Sequence, residues 1–361
     1  MIWYLIILLL PYFFIFLKIS GNLRRVRQFK PEGTSSVTVS VIIACRNEEE
    51  NIPQLFNDLY SQDYDPGLFE IIIVDDNSTD STFQTASSLN RFQNFKVIRN
   101  NSTGKKSAIR SGIEAASGRL IITTDADCRM DKRWISVIAS FYSVTRPDMI
   151  IGPVQLESKN GYSGRFRELE FLSLQGVTAG TAEAGHPVMC NGANLAFTKE
   201  AYLRHCEKLH NEILSGDDIF FLHSLKKERD SIISWISSPD AIVTTRQSSS
   251  LASFFKQRAR WLSKAKTYDD RYTILILAVT FPAILLNILL LFCAIMNREF
   301  LVLFLAAFII KSIPDLLILS GITGRYDKRH LMKWFIPAQV VYPFYVLAVI
   351  VRSLIFKETW K

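Results

Sequence analysis

The sequence predicts an α/β domain built on a parallel sheet and held at a membrane by one apolar helix before it and about three after it. Three observations predict this. Apolar strand-like runs alternate with helical stretches between residues 37 and 125, the signature of a parallel α/β sheet. The ends of those runs carry polar and acidic clusters. Apolar runs long enough to cross a bilayer stand on both flanks.

Composition narrows the class. With 361 residues, 48% of them hydrophobic, the chain has room for one sizeable globular domain plus membrane segments. The formal charge of +8 points to anionic partners. Much of the basic excess lies beside apolar segments, so a membrane outranks nucleic acid as the partner. Neither zinc-finger spacing nor an RNP-like aromatic signature is present. Five scattered cysteines without a C-x-x-C pair argue against a disulfide framework or a zinc site, and fit a reducing compartment.

Taken in order, Ile2 to Leu17 is apolar and aromatic, and Lys18, Arg24, Arg25, Arg27 and Lys30 follow it. A cleaved leader carries its charge before the apolar run, so residues 1–20 read as an uncleaved anchor with its following side in the cytosol. The run is short for a span of about 20 residues, which leaves a membrane-dipped anchor as the alternative. Residues 37–250 read as the cytosolic domain. Strands are expected at Val37–Ala44, Phe69–Val74, Phe95–Ile98 and Leu120–Thr124, with helices running to about Tyr60, after Ser81 and over Gly104–Ala116. Ligands of such sheets bind beyond the carboxyl ends of the strands. Arg46 to Glu48, Asp75 to Ser78 and Asp125 to Asp127 all fall there.

Further along, Met149–Val154 reads as a strand and Arg165–Gln175 as an amphipathic helix. Cys190–Phe197 reads as a small-residue turn entering a strand, and Ser215-Gly216-Asp217-Asp218 as a helix start. In residues 251–271, Leu251, Phe254, Phe255, Ala259 and Leu262 recur at helical spacing with Lys256, Arg258, Arg260 and Lys264 between them. That is the pattern of a basic helix at a membrane interface. Residues 273–356 hold three spanning runs, Thr273–Met296, Phe300–Ser320 and Trp334–Phe356, the first two joined by Asn297-Arg298-Glu299. The basic loop with Arg325, Lys328, Arg329 and Lys333 is expected in the cytosol, which leaves both termini outside. Arg352, Lys357 and Lys361 argue against that placement of the second terminus. Lys311 and Asp315 fall inside a span, where a charge usually faces the protein interior. Snorkelling is the alternative for Lys311.

Asp125 and Asp127 end an apolar strand run one residue apart, and strand positions two apart can face the same way. Hard oxygen ligands of this kind suit Mg²⁺ or Mn²⁺, which hold phosphate-bearing substrates through one or two protein carboxylates.

Seven motifs follow one another in order: Val41-Ile42-Ile43-Ala44-Cys45-Arg46-Asn47-Glu48-Glu49, Val74-Asp75-Asp76-Asn77-Ser78-Thr79-Asp80, Gly104-Lys105, Asp125-Ala126-Asp127, Gly192-Ala193-Asn194-Leu195-Ala196-Phe197, Gly216-Asp217-Asp218, and Gln257-Arg258-Ala259-Arg260-Trp261. In these motifs the chain resembles the membrane-embedded branch of the inverting family-2 glycosyltransferases with the GT-A fold, the branch of ceramide glucosyltransferase, carotenoid glycosyltransferases and the Q-x-x-R-W polysaccharide synthases. The resemblance covers roughly Val37 to Trp261.

The resemblance implies a nucleotide-sugar donor, UDP-linked ahead of GDP-linked, and a lipid or lipid-linked acceptor. It implies that Asp76 contacts the base, that Arg46 and Glu48 line the nucleotide pocket and that Lys105 stands near it. Asp125 would approach ribose or metal, and Asp127 would ligate Mg²⁺ or Mn²⁺. Asp218 would be the catalytic base with Asp217 beside it, although the family's usual pair is Glu-Asp. Gln257, Arg260 and Trp261 would close over the diphosphate or acceptor. A processive polysaccharide synthase coupled to export is the nearest alternative, and a non-catalytic membrane scaffold is another.

Plainer readings compete at several positions. Asp75, Asp76 and Asp217 suit turns and helix caps. Arg46 to Glu50 and Lys105-Lys106 suit solvated helix starts. Arg258, Lys264 and Lys266 suit lipid headgroups. His186 and His223 read as structural, and the sequons at Asn77 and Asn101 as accidental in a cytosolic domain.

Overall fold

The computed structural model describes residues 2–31, 33–89, 94–209 and 216–356; Ser215, Lys357 and Lys361, named above, lie outside them. In chain order its first elements are α1 (Leu10–Arg25), β1 (Val39–Cys45), α2 (Ile52–Tyr60), β2 (Phe69–Asp75), α3 (Thr82–Ser88), β3 (Phe95–Arg99), α4 (Lys105–Ala115), β4 (Leu120–Asp125), β5 (Cys128–Met130), α5 (Trp134–Thr145), β6 (Met149–Ile151) and β7 (Val154–Leu156). Then come α6 (Gly161–Glu183), β8 (Leu195–Thr198), α7 (Lys199–His205), α8 (Asp217–Leu225), β9 (Ile233–Trp235), β10 (Val243–Thr245), α9 (Leu251–Ser263), α10 (Arg271–Met296), α11 (Leu301–Arg325) and α12 (Phe335–Ile355). They form two compact units. One gathers residues 2–26, Ser158–Val188 and residues 247–356. The other holds Arg27–Glu157 and Met189–Arg246.

The second unit is the α/β body. Its seven-stranded sheet has the order β3-β2-β1-β4-β8-β6-β9, and β5-β10-β7 form a separate three-stranded sheet. β3, β2, β1 and β4 run parallel, as the alternating pattern predicts. Strands of such a sheet are covered on both faces and therefore read as unbroken apolar runs; Val41, Ile42 and Ile43 are each 0% exposed. The expectation of a parallel sheet fails beyond β4, because β8 runs antiparallel to both β4 and β6. β5 through α6 separate β4 from β8, and without a single crossover helix nothing imposes the parallel sense.

The first unit is helical. Among the described residues, four helices are long and apolar enough to cross a membrane: Tyr4–Arg25, Arg271–Met296, Arg298–Arg325 and Arg329–Ile355. The first runs well past the apolar stretch that marks it in the sequence, because Ile19, Ser20 and Leu23 stay buried after the composition turns polar. Within this unit α1 packs on α6 and α11, and α12 packs on α9. Asn297 accepts a hydrogen bond from the Glu299 amide (3.0 Å) at the short link between α10 and α11.

α6 departs from expectation in length and in character. It spans 23 residues and is buried nearly all round, with Arg167, Glu168 and Glu170 inside, so it has no amphipathic stripe. Its acids have partners instead of water, since Lys328 and Arg165 both pair with Glu168. Ser158–Val188 also lies within the 37–250 span expected of the soluble domain, yet it groups with the apolar helices.

The charges inside the spans meet one another. Lys311, 2% exposed, donates to Asp315 (2.7 Å) and to Gln339 (3.1 Å), and Tyr12 donates to the other Asp315 oxygen at 2.5 Å. Gln339 also donates to Asp315 (3.0 Å). The snorkelling alternative for Lys311 is therefore wrong: its amine is held by an internal carboxylate.

Candidate active site

In the α/β unit the strand ends bring most of the expected residues together. Asp125 closes β4, and Lys105, the first residue of α4, reaches it with its amine at 2.5 Å. Burial would lower the Lys105 pKa, but Asp125, Asp217 and Asp218 outweigh it and raise the pKa, keeping the amine charged. One lysine thus stands in the field of three site aspartates.

Asp217 and Asp218 open α8 behind Gly216, whose φ of +93° favours glycine. Neither aspartate is the cap residue, which corrects the capping reading of Asp217. Asp218 accepts from the amides of Gly192 (3.1 Å) and Ile219 (2.8 Å), which orient its carboxylate. Gly192 belongs to the Gly192–Asn194 turn leading into β8, and Thr123 of β4 donates to its carbonyl at 2.9 Å. The turn thereby ties the Asp218 loop to the strand that ends in Asp125.

Asp127 stands just past β4. Thr245 of β10 donates to one of its oxygens (3.3 Å), and the Cys128 thiol lies 3.8 Å from the other. Burial first, then the carboxylates of Asp125 and Asp127, pushes the Cys128 thiol well up. Among the described residues no group of three or more His, Cys, Asp or Glu side chains is placed to hold a metal. The donor set offered by Asp125 and Asp127 is all hard oxygen and poor in protein ligands. It fits an ion such as Mg²⁺ or Mn²⁺ that keeps water and phosphate oxygens around it.

Asp76 follows β2 and is 1% exposed. Its carboxylate accepts from the Gly104 amide (2.9 and 3.0 Å) and from Asn100 (2.7 Å), so it anchors the start of α4 directly before Lys105. Glu48 accepts from Asn51 (2.6 Å), and its amide donates to Thr82 (2.8 Å), which fastens the end of β1 to α3. Arg46 is half-buried at the end of β1.

The remaining expected residues lie on α9, in the helical unit. Arg258 is not at a lipid surface, contrary to the headgroup reading. It is 5% exposed and donates to Glu170 of α6 through Nε (3.0 and 3.2 Å) and Nη2 (2.6 Å). Burial would lower its pKa, but Glu170 outweighs that and raises it. Gln257 accepts from Arg258 at 3.0 Å, and the Trp261 ring stands 4.2 Å from the Arg258 guanidinium carbon. Arg260 is half-buried on the same helix.

Sequence reasoning missed Thr245, Asn100, the Gly192 amide and Glu170. Thr245 and Asp127 are 118 residues apart, and no local pattern announces such a pair. The Gly192 turn was visible as a motif, but its amide donor was not.

A parallel half-sheet with acidic strand ends, extended by an antiparallel strand, is the arrangement of the GT-A fold. Residues 40–205 match the family described as Glycosyl transferase family 2.

The chain is 28% identical over 206 residues to Glycosyltransferase AglE of Haloferax volcanii, covering 56% of this chain and 65% of that one. To a poly-β-1,6-N-acetyl-D-glucosamine synthase of Staphylococcus epidermidis it is 25% identical over 259 residues, 69% of this chain and 59% of the relative. To the β-monoglucosyldiacylglycerol synthase of Nostoc sp. it is 32% identical over 111 residues, 29% and 24% of the two chains. The matches thus span less than two-thirds of these relatives' lengths.

In structure the chain resembles the mannosyltransferase PcManGT of Pyrobaculum calidifontis, solved with GDP-Man and Mn²⁺. The TM-score is 0.61 at 16% identity, over 99% of this chain and all of that one, so the likeness is one of fold.

Proposed function

We propose that the protein is a membrane-bound, inverting glycosyltransferase. It moves a sugar from a nucleotide donor, UDP-linked ahead of GDP-linked, to a lipid or lipid-linked acceptor at the cytosolic face. The observation that carries this reading is the Lys105 amine meeting the Asp125 carboxylate at the end of β4, with Asp217 and Asp218 near enough to raise the Lys105 pKa further.

Asp76, Arg46 and Glu48 bind the nucleoside in this reading, and Lys105 balances diphosphate charge beside Asp125. Asp218, oriented by two backbone amides, takes the acceptor hydroxyl's proton, with Asp217 beside it. One base and one displacement invert the anomeric centre. Asp125 and Asp127 would hold Mg²⁺ or Mn²⁺, which would supply positive charge against the diphosphate as it departs. Gln257, Arg260 and Trp261 keep the roles the Q-x-x-R-W resemblance implies. Four helices of spanning length support a membrane-resident acceptor. The β-monoglucosyldiacylglycerol synthase relative supports a lipid one.

A second reading, a polysaccharide synthase, is favoured by the poly-N-acetylglucosamine synthase relative and by Q-x-x-R-W. One experiment separates the two. Purified protein in nanodiscs is given Mn²⁺, radiolabelled nucleotide sugars and lipid extract, beside Asp127→Ala and Asp218→Asn. Label entering a small organic-soluble product, and lost in both variants, supports single transfer to lipid. Label in a large water-soluble polymer overturns it in favour of the synthase.

A further inference from the structure

The ion pair between Glu170 and Arg258 is expensive, because two charges leave water and must be repaid by geometry. Here the geometry is nearly complete. Glu170 is 7% exposed and accepts three contacts from Arg258 plus the Tyr345 hydroxyl of α12 at 3.1 Å. The remaining faces of the guanidinium are used as well. Nη1 donates to Gln257, and the guanidinium carbon lies 4.2 Å from the centroid of the Trp261 ring and 4.9 Å from that of Phe254.

Gln257 and Trp261 are the first and last residues of Q-x-x-R-W, and both rest on the variable residue between them. Arg260 lies two positions on, about 200° round the helix from Arg258. A buried acid on α6 therefore sets the side chains that define the motif on α9, although the motif's pattern names neither Glu170 nor Arg258.

We propose that Glu170 and Arg258 are positioning residues for transfer: Glu170 fixes Arg258, and Arg258 fixes Gln257 and Trp261. The proposal rests on the transferase reading above. Arg258 needs its planar fork for this, since it pairs with a carboxylate, an amide oxygen and an indole face at once. A lysine supplies the charge without the fork.

The test compares Arg258→Lys, the double variant Glu170→Gln/Arg258→Met and wild type, all as full chains in nanodiscs. The double variant leaves no orphan buried charge, so it is the one expected to fold normally. Wild-type melting temperature and monodisperse elution check that. Displacement of groups that align a reaction costs up to about 100-fold. The expected result is a 10- to 100-fold fall in kcat in both variants, with KM for the nucleotide sugar changed less than about threefold. A folded double variant with wild-type kcat overturns the proposal and leaves the pair a packing feature only.

A second readout works without turnover. Arg258→Lys is expected to change tryptophan emission in the wild-type background and not in Trp261→Phe. Absence of a difference overturns the positioning link itself. If no donor is turned over by wild type, the transferase reading fails, and this emission comparison still decides whether Arg258 sets Trp261.

Discussion

The two units treat charge in opposite ways. In the α/β unit the site carboxylates sit at strand ends and helix starts, where the backbone supplies donors: Gly104 to Asp76, Gly192 and Ile219 to Asp218. In the helical unit the acids are satisfied by cationic side chains: Arg258 of α9 on Glu170 of α6, Lys328 of the loop after α11 on Glu168 of α6, and Lys311 on Asp315 one turn further along α11. A carboxylate oriented by local backbone keeps capacity for a ligand. A carboxylate neutralised by a side-chain cation is spent on holding the helices. Substitutions should accordingly strike activity in the α/β unit and stability in the helical unit, except at Glu170 and Arg258, whose pairing also sets Gln257 and Trp261.

The largest expected effect tests the first half of that contrast. Asp218→Asn should lower transfer by about 10²–10⁴-fold, the range of a lost acid–base group, and Asp127→Ala should lower it through loss of the metal ligand, while the melting temperatures stay within a few degrees. Unfolding of either variant at wild-type activity per folded molecule would erase the contrast. Next comes Lys311→Ala, which leaves Asp315 without its cation. It should cost about 3–5 kcal/mol of stability, read by thermal unfolding in detergent, with kcat of the folded fraction little changed. Lys311→Met with Asp315→Leu should recover most of that loss.

Close approach within the helical unit gives a smaller effect. A Cβ at Gly180 of α6 would stand 2.5 Å from the Ile19 carbonyl oxygen of α1. Backbone cannot yield as a side-chain tip can, so Gly180→Ala should destabilise by about 1–3 kcal/mol, measured by the same unfolding assay.

The smallest effect sharpens the other side. Glu70 of β2 accepts from Lys96 (2.8 Å), Ser40 (2.7 Å) and both the amide and hydroxyl of Ser117 (2.5 and 2.7 Å). Burial would raise its pKa, but bonds from Lys96, Ser117 and Ser40 outweigh that and bring it from 4.5 to about 2. A carboxyl depressed on folding contributes stability that is present above its unfolded pKa and is lost as pH falls through the folded one. The stability it adds should therefore decline between pH 4.5 and 2, and Glu70→Gln should flatten that limb of the pH–stability curve.

Legibility divides along the same line. β1, β2, β3 and β4 were visible because a sheet buried on both faces demands continuous apolar runs, and Asp76, Asp125 and Asp218 because they follow such runs or open helices. α6 was misjudged because its periodicity mixes charges with apolar residues, and a sequence does not say whether a charge meets water or a partner. Arg258 was misassigned to lipid for the same reason. The antiparallel course of β8 was equally hidden, since a strand of four residues carries no mark of its direction.

What the sequence determined by itself is local: where backbone hydrogen bonding and apolar burial require strand, helix or bilayer-length span, and which acids stand at the ends. Tertiary structure alone decided the pairings across long separation. Lys105 reaching Asp125, Thr245 meeting Asp127 and Glu170 closing on Arg258 depend on which elements become neighbours. Burial then sets the worth of each pair, because removing water is what makes a charge seek a partner.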